Sequence, residues 1–364
     1  MIDIVRPTLL LDERKCKANI ARIVDKATKA GVKLRPHFKT HQSHEVGQWF
    51  RDFGVSQCTV SSVKMADYFA TDGWSDITIA FPVNPLEHAL INGLAAKIKL
   101  NLCAGSKDAV QLLYNSLKHP IKVFIEIDNG YHRTGIQPSN KEEIESILSV
   151  IHQSALMEFA GFLSHAGHSY KAAFVDEVNK IHTQSKNLMI ELGKFYRERF
   201  PLLELSIGDT PTCSIADDFS GVDEIRPGNL VFYDLTQATI GSCRLEDIAI
   251  AMACPVVEIN SHANEVFVHG GGVHFSKDFL SREDGSISYG QVVKLTERGW
   301  TLPPLKMFVK SLSQEHGVIH AESEEISKLK VGDVIGVLPV HACLTADAMG
   351  EYFTLEGKRI VMMR

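Results

Sequence analysis

The chain has 364 residues, 45% hydrophobic and 23% charged, an ordinary globular make-up long enough for two domains or for one barrel with insertions. A formal net charge of −6 and a pI of about 6.2 give no electrostatic case for nucleic acid or an anionic membrane, and no apolar run is long enough to span a bilayer. Seven cysteines, with no Cys-x-x-Cys pair, point to reduced thiols in the cytoplasm rather than a disulfide framework, and the N-terminus lacks the basic and apolar regions of a secretory signal.

Asp12 caps a predicted helix with Ile20, Ile23, Val24 and Ala27 at helical spacing, closed by Gly31. Val32-Lys-Leu34 reads as a short strand. Arg35-Pro-His-Phe-Lys-Thr-His-Gln-Ser43 follows it, and a helix starts at His44. Strands at 55–60, 76–81, 98–102, 121–127, 159–164 and 203–207 then alternate with helices, and a last strand is read from Glu224 to Tyr233. About eight such units predict a parallel α/β fold closed into a (β/α)8 barrel over 13–240; an open doubly wound sheet is the alternative, since period does not show closure, although its Gly-x-Gly-x-x-Gly fingerprint after the first strand is absent. After Gly241 short strands separated by Gly, Asn and Asp turns predict a mostly β domain over 241–364, with 1–12 assigned to it.

In a parallel barrel the C-terminal ends of the strands carry the ligand site. The first such end presents Lys39 between His37 and His41, with Arg35 four residues back, an arrangement that suits an amine nucleophile. Asp128-Asn-Gly-Tyr-His-Arg-Thr-Gly135 presents Arg133, and Ser164-His-Ala-Gly-His-Ser-Tyr170 presents His165 and Tyr170. Gly208-Asp-Thr-Pro-Thr-Cys-Ser214, with Thr210, is a loop of small residues suited to a phosphate. Arg226-Pro-Gly-Asn229 ends the series, and Gly228 permits close backbone approach. In the β domain His269-Gly-Gly-Gly-Val-His274 sets flexible backbone beside two imidazoles. His341 and Cys343 stand two apart, so an extended strand would turn both to one face, where they could donate a nitrogen and a thiolate to zinc.

Pro36-His-Phe-Lys-Thr-His41 resembles the Pro-His-x-Lys-Thr-His signature of the D-serine dehydratase and D-threonine aldolase family. The likeness extends from Arg6–Asp12 through Gly208–Thr212 and Arg226–Asn229 to Pro339–Thr345. These are pyridoxal 5'-phosphate enzymes with an alanine racemase-like barrel and a β domain. The resemblance implies that Lys39 holds the cofactor covalently and serves as the catalytic base. His165 would stack on the pyridine ring with Tyr170 nearby, and Thr210, Gly228 and Asn229 would bind the phosphate. Arg226 would face the pyridine nitrogen and Arg133 the ring hydroxyl or the substrate carboxylate. His341 and Cys343 would hold a divalent metal, zinc first and manganese or magnesium as alternatives. The aldolases commonly carry His-x-Asp instead, and the racemases' catalytic tyrosine in an Asp-Gly-Tyr-Pro context has no match.

The expected activity is therefore metal-assisted β-elimination of a D-β-hydroxy amino acid, D-serine giving pyruvate and ammonia, in a homodimer. The alternatives are D-threonine aldolase, which cleaves to glycine and acetaldehyde, D-threo-3-hydroxyaspartate dehydratase, a non-catalytic pyridoxal phosphate carrier, and a metal-dependent barrel hydrolase without pyridoxal, which gives Lys39 no role.

Overall fold

A computed structural model describes residues 3–302 and 304–364; the first two residues of the predicted 1–12 segment lie outside the described residues. The chain forms two compact units. One comprises Ala21–Lys39 and Val46–Gly228, and the other the residues up to Ile20, Thr40–Glu45 and Asn229–Arg364.

Strand β1 (Thr8–Leu11) belongs to the second unit. The first unit holds β2 (Lys33–Leu34), β3 (Cys58–Val60), β4 (Asp76–Pro82), β5 (Lys99–Ala104), β6 (Ile121–Ile127), β7 (Met157–Ser164), β8 (Glu204–Ile207) and β9 (Glu224–Ile225). They form one eight-stranded sheet in the order β2-β9-β8-β7-β6-β5-β4-β3, every pair parallel. The sheet closes on itself. Phe38 N–H donates to Thr59 O at 2.8 Å and Thr59 N–H to Pro36 O at 2.9 Å, which joins the chain after β2 to β3. The predicted barrel is present, with helices between its strands.

Inside the barrel the apolar layers give way to a charged one. Arg35 donates to Glu224 Oε2 and Asp76 Oδ1, both at 2.6 Å, and Asn101 Nδ2 adds a bond to Asp76 Oδ1 at 2.9 Å. Arg35 and Glu224 are buried, where a carboxylate and a guanidinium persist only because each is paired. The charge that the sequence places four residues before Lys39 is thus spent on the barrel floor. Beside Lys39, Phe38 is fully buried against Phe50, Phe69 and Trp74, with ring centroids 4.8–5.3 Å away. That aromatic anchor fixes the backbone from which the lysine projects.

The second unit is built on a nine-stranded sheet. Its first six strands run in the order Glu265–His269, His316–Ala321, Met307–Leu312, Gly290–Val293, Val334–Pro339, Ile250–Asn260, and a pairing of Ile250–Asn260 with Glu265–His269 closes them into a ring. β1, Glu351–Thr354 and Arg359–Val361 extend the sheet. The ring is filled by Val256, Val266, Val268, Val292, Val309, Ile319 and Val337, all buried.

Three local expectations differ from what is found. The strand read from Glu224 to Tyr233 stops at Ile225, because Pro227 and Gly228 break the ladder, and Asn229–Val231 is a 3-10 turn. The Gly208–Ser214 loop contains a short helix, Thr210–Ile215, whose N-cap Asp209 accepts from Thr212 N–H and whose first turn accommodates Pro211. The strand before His341 ends at Pro339, and His341 is instead the N-cap residue of the helix Ala342–Met349. Among the described residues no helix is long and apolar enough to cross a membrane, and no disulfide joins any of the cysteines.

Candidate active site

The mouth of the barrel is organised around the imidazole of His165, just past the end of β7. Its Nδ1–H donates to Gly208 O at 2.8 Å, so the neutral ring carries its proton there and leaves Nε2 as a lone pair. Burial holds its pKa down at about 3 against that bond, and the charges of Lys39, Arg133 and Arg226 reinforce the shift. Residues from the ends of β2, β6, β7, β8 and β9 therefore meet at one neutral ring in a positive field. That is a place for an anion.

Each sequence-predicted residue of this unit has a definite partner. Lys39 is exposed, and its backbone N–H donates to His37 Nδ1 at 3.3 Å. Arg133 is exposed, with its guanidinium 5.1 Å from the centroid of the Tyr131 ring, which in turn meets His165 edge-on at 5.8 Å. Arg226 is buried; it donates to Ser164 O at 2.6 Å and to Ser206 Oγ, and that hydroxyl donates to Glu224 Oε1 at 2.6 Å. The Tyr170 hydroxyl accepts from Thr210 N–H at 3.2 Å, and Gly228 N–H donates to Thr210 Oγ1 at 3.3 Å. Gly208 has φ +152°, and a Cβ there would lie 2.5 Å from Arg226 N, so only glycine lets the β8 and β9 ends come this close. Asp209, buried and capping the Thr210 helix, is pushed up to about 6 by burial despite bonds from Thr212 and Ser169.

The second unit holds His341, Cys343 and Asn229. Cys343 Sγ lies 3.3 Å from Thr40 Oγ1 and 3.6 Å from Asn229 Nδ2, and the same amide donates to Asp234 Oδ2 at 2.6 Å. Asn229 Oδ1 is buried without a hydrogen-bond partner among the described residues. His341 Nδ1 pairs with Asp278 Oδ2 at 2.6 Å. Burial disfavours the charged ring, but the hydrogen bond and charge of Cys343, the charge of Asp234 and the Asp278 bond outweigh it and raise its pKa to about 10. A carboxylate on one ring nitrogen orients the other toward a metal. The chain steps between the units at Lys39–Thr40 and again at Gly228–Asn229, and in both cases the residue on the second-unit side touches the Cys343 sulfur.

The other imidazole cluster has different chemistry. His269 Nε2 and His274 Nε2 stand 3.4 and 3.7 Å from Glu315 Oε2. His274 Nδ1, however, accepts Gly271 N–H at 3.1 Å, so the neutral ring carries its proton on Nε2, facing the carboxylate. In that tautomer His274 Nε2 faces Glu315 with a proton and not with a lone pair for an ion.

Two buried imidazoles set a pH dependence. Burial lowers His41, as it does His165, from 6.5 to about 3. Each contributes stability that is complete above pH 6.5 and is lost as pH falls toward 3, because the unfolded chain takes up protons the native ring refuses. Unfolding free energy should fall below pH 6.5 by up to about 2.7 kcal/mol per pH unit from the two together. Urea titrations at pH 7.5 and 5.5 check this, and equal midpoints would contradict it.

Residues 11–235 match the family described as Alanine racemase, N-terminal domain, and residues 249–355 match a serine dehydratase domain. The D-threo-3-hydroxyaspartate dehydratase of Delftia sp. (strain HT23) is 30% identical over 362 residues, 96% of this chain and 93% of that protein. The chain belongs to the D-serine dehydratase and D-threonine aldolase family. Another relative within it, the D-serine dehydratase of Dictyostelium discoideum, is 26% identical over 96% of this chain and 93% of its own. The solved structure of the Delftia enzyme superposes with a TM-score of 0.90 at 26% identity, covering 100% of this chain and 98% of that one. Solved variants of a D-threo-3-hydroxyaspartate dehydratase include a cysteine-to-alanine form that is metal-free and a histidine-to-alanine form, the two substituted positions lying two apart as His341 and Cys343 do.

The family's members use pyridoxal phosphate, and the residues of the barrel mouth fit it. An exposed amine suits its aldehyde and a neutral imidazole its ring. A positive field and the hydroxyl and amides around Thr210 suit its phosphate. Sequence reasoning missed Ser206, Glu224, Thr40 and Asp278. The first two sit on strands without a motif, and Asp278 reaches His341 from 63 residues away. Only Thr40, inside the lysine signature, carried a readable signal.

Proposed function

We propose that the protein is a pyridoxal phosphate-dependent lyase that dehydrates and deaminates a D-β-hydroxy amino acid, D-serine giving pyruvate and ammonia. The convergence of Lys39, Arg133 and Arg226 on the neutral His165 ring carries this reading. Bound at Lys39, the cofactor supplies an electron sink that acidifies the substrate's Cα–H. A divalent ion, zinc first, on His341 and Cys343 supplies a Lewis acid for the β-hydroxyl.

The chain's own residues do the rest. The Lys39 amine, once displaced by the substrate, takes the Cα proton at Nζ. His165, held by Gly208 O, offers a flat and uncharged face, which keeps a second positive charge off the ring it stacks on. Arg226 is immobilised by Ser164 O and the Ser206–Glu224 pair, so its position is set before any ligand arrives. Arg133, exposed and bonded only to an aromatic face among the described residues, is the cation free to meet the substrate carboxylate. Thr210, Gly228 and Asn229 hold the phosphate, with Tyr170 steadying the Thr210 amide. Asp278 orients His341, and Thr40 and Asn229 bear on Cys343.

The two-residue spacing shared with the solved dehydratase variants supports the metal pair, and cysteine in place of the aldolases' aspartate favours elimination over aldol cleavage. The 30% identity to the Delftia dehydratase makes D-threo-3-hydroxyaspartate the second substrate to try. We assign the protein to the cytoplasm, as a homodimer, on its cysteine content and its family.

Purified protein incubated with D-serine, D-threonine and D-threo-3-hydroxyaspartate tests the reading. Pyruvate, 2-oxobutyrate and oxaloacetate are the products of elimination. Glycine from D-threonine without any 2-oxo acid would make it an aldolase.

A further inference from the structure

β6 carries one charged side chain into the barrel that nothing above uses. Glu126 is 6% exposed. Its Oε1 accepts the Thr134 hydroxyl at 2.8 Å, while Oε2 is buried and has no hydrogen-bond partner among the described residues. An unpaired buried carboxylate oxygen is costly, and such an atom persists where a partner is supplied at some stage of the working cycle.

The nearby cations are Arg133 and Arg226. Arg226 already donates to Ser164 O and Ser206 Oγ and lies fixed in the interior. Arg133 is different. Its side chain is exposed on the face of Tyr131, and it immediately precedes the threonine that reaches Glu126. The backbone beneath it is rigid. Asp128 accepts from Gly130 N–H, His132 N–H, His132 Nδ1 and Gln137 Nε2, at 2.7–3.0 Å. Gly135, at φ +98°, packs so close to Asp128 N that a Cβ would lie 2.8 Å away. Any change is therefore a rotation of the arginine side chain over a fixed loop.

We propose that Glu126 is the positioning residue for Arg133: on substrate binding the guanidinium leaves Tyr131, one edge donates to Glu126 Oε2, and the other edge meets the substrate carboxylate. A guanidinium has donors on separate edges of one plane, so a single arginine can serve both carboxylates at once. Thr134 presets the carboxyl plane by holding Oε1. Glu126 thereby selects substrates with a free carboxylate without touching them. This rests on the lyase reading above.

The test is a double-mutant cycle on the holoenzyme with D-alanine, which has no β-hydroxyl to eliminate, its Kd read by calorimetry. Glu126→Gln keeps the shape and the Thr134 bond. It should raise Kd about tenfold, the loss expected for one charge-assisted hydrogen bond, and raise KM for the reacting substrate more than it lowers kcat. Arg133→Lys, at an exposed position that folds regardless, should raise Kd similarly. In the Arg133→Lys background, Glu126→Gln should then add less than about twofold, because a compact ammonium lacks the planar fork that spans both carboxylates at once. Effects that multiply across the cycle, or wild-type Kd in either single variant, overturn the pairing. A protein with no visible chromophore refutes the functional reading itself, whereas a yellow Glu126→Gln protein with wild-type Kd refutes only the role of Glu126.

Discussion

Lys39→Ala protein should fold normally and turn over substrate at least about 1,000-fold more slowly than wild type, because the proposed mechanism makes this amine both the cofactor's covalent anchor and the base that takes the Cα proton. The side chain is exposed, so its removal costs little stability, as for other surface positions. Loss of turnover with an unchanged melting temperature would thus be chemical in origin. Added methylamine, which can replace the missing amine, should restore part of the rate. The wild-type fold beneath the site is what makes the experiment clean. Phe38 anchors the loop among three aromatic rings, and Arg35 is locked to Glu224 and Asp76, so deleting one side chain between them leaves the barrel mouth in place. Full activity in Lys39→Ala would remove the amine from the mechanism.

The second large effect belongs to Cys343. Cys343→Ala removes the softer of two candidate metal donors, leaving His341 with Asp278 alone. Lewis-acid polarisation of a poor leaving group is worth several kcal/mol, so dehydration of D-serine should fall by about 100- to 1,000-fold while the visible spectrum of the cofactor stays as in wild type. Exhaustive chelation of wild type should reproduce the loss, and metal analysis by mass spectrometry should find about one divalent ion per chain in wild type and far less in the variant. Cys343→Asp, which restores a hard oxygen donor, should regain metal and shift D-threonine turnover toward glycine. Two-oxo acid formation that survives complete metal removal would contradict the assignment of His341 and Cys343.

What could be read from the sequence alone follows from how local the physics is. The barrel was legible because parallel β/α units repeat a hydrophobic strand, a turn and a helix, and Asp12, read as a cap, accepts from Arg14 and Lys15 N–H at the start of the helix it predicts. Closure was a matter of counting strands, and the Phe38–Thr59 hydrogen bonds supply it. The β domain was legible in kind but not in detail. His316–Ala321 and Glu351–Thr354 are short, mix polar with apolar residues and each pair on one side with a strand far back in the chain, Glu265–His269 and Thr8–Leu11. The His341–Cys343 pair was found for a reason the fold replaces. Period-two alternation suggested a shared strand face, whereas the two residues come together at a helix start, with His341 as N-cap and Cys343 in the first turn. Glu126 left only a faint trace, a carboxylate on the same face of β6 as buried Phe124. The Ser206–Glu224 support for Arg226 left none, since it joins two strands 18 residues apart and no motif spans them.

The proposed lyase activity depends on the side-chain nitrogen of Lys39 carrying the vitamin B6 aldehyde. Reduction of the purified protein with borohydride, followed by peptide mass spectrometry, tests this directly. The yellow colour should bleach, and a phosphopyridoxyl group should be found on the peptide containing Pro36-His-Phe-Lys39, in near one-to-one yield. A colourless protein, or a label fixed on any other lysine, would contradict it.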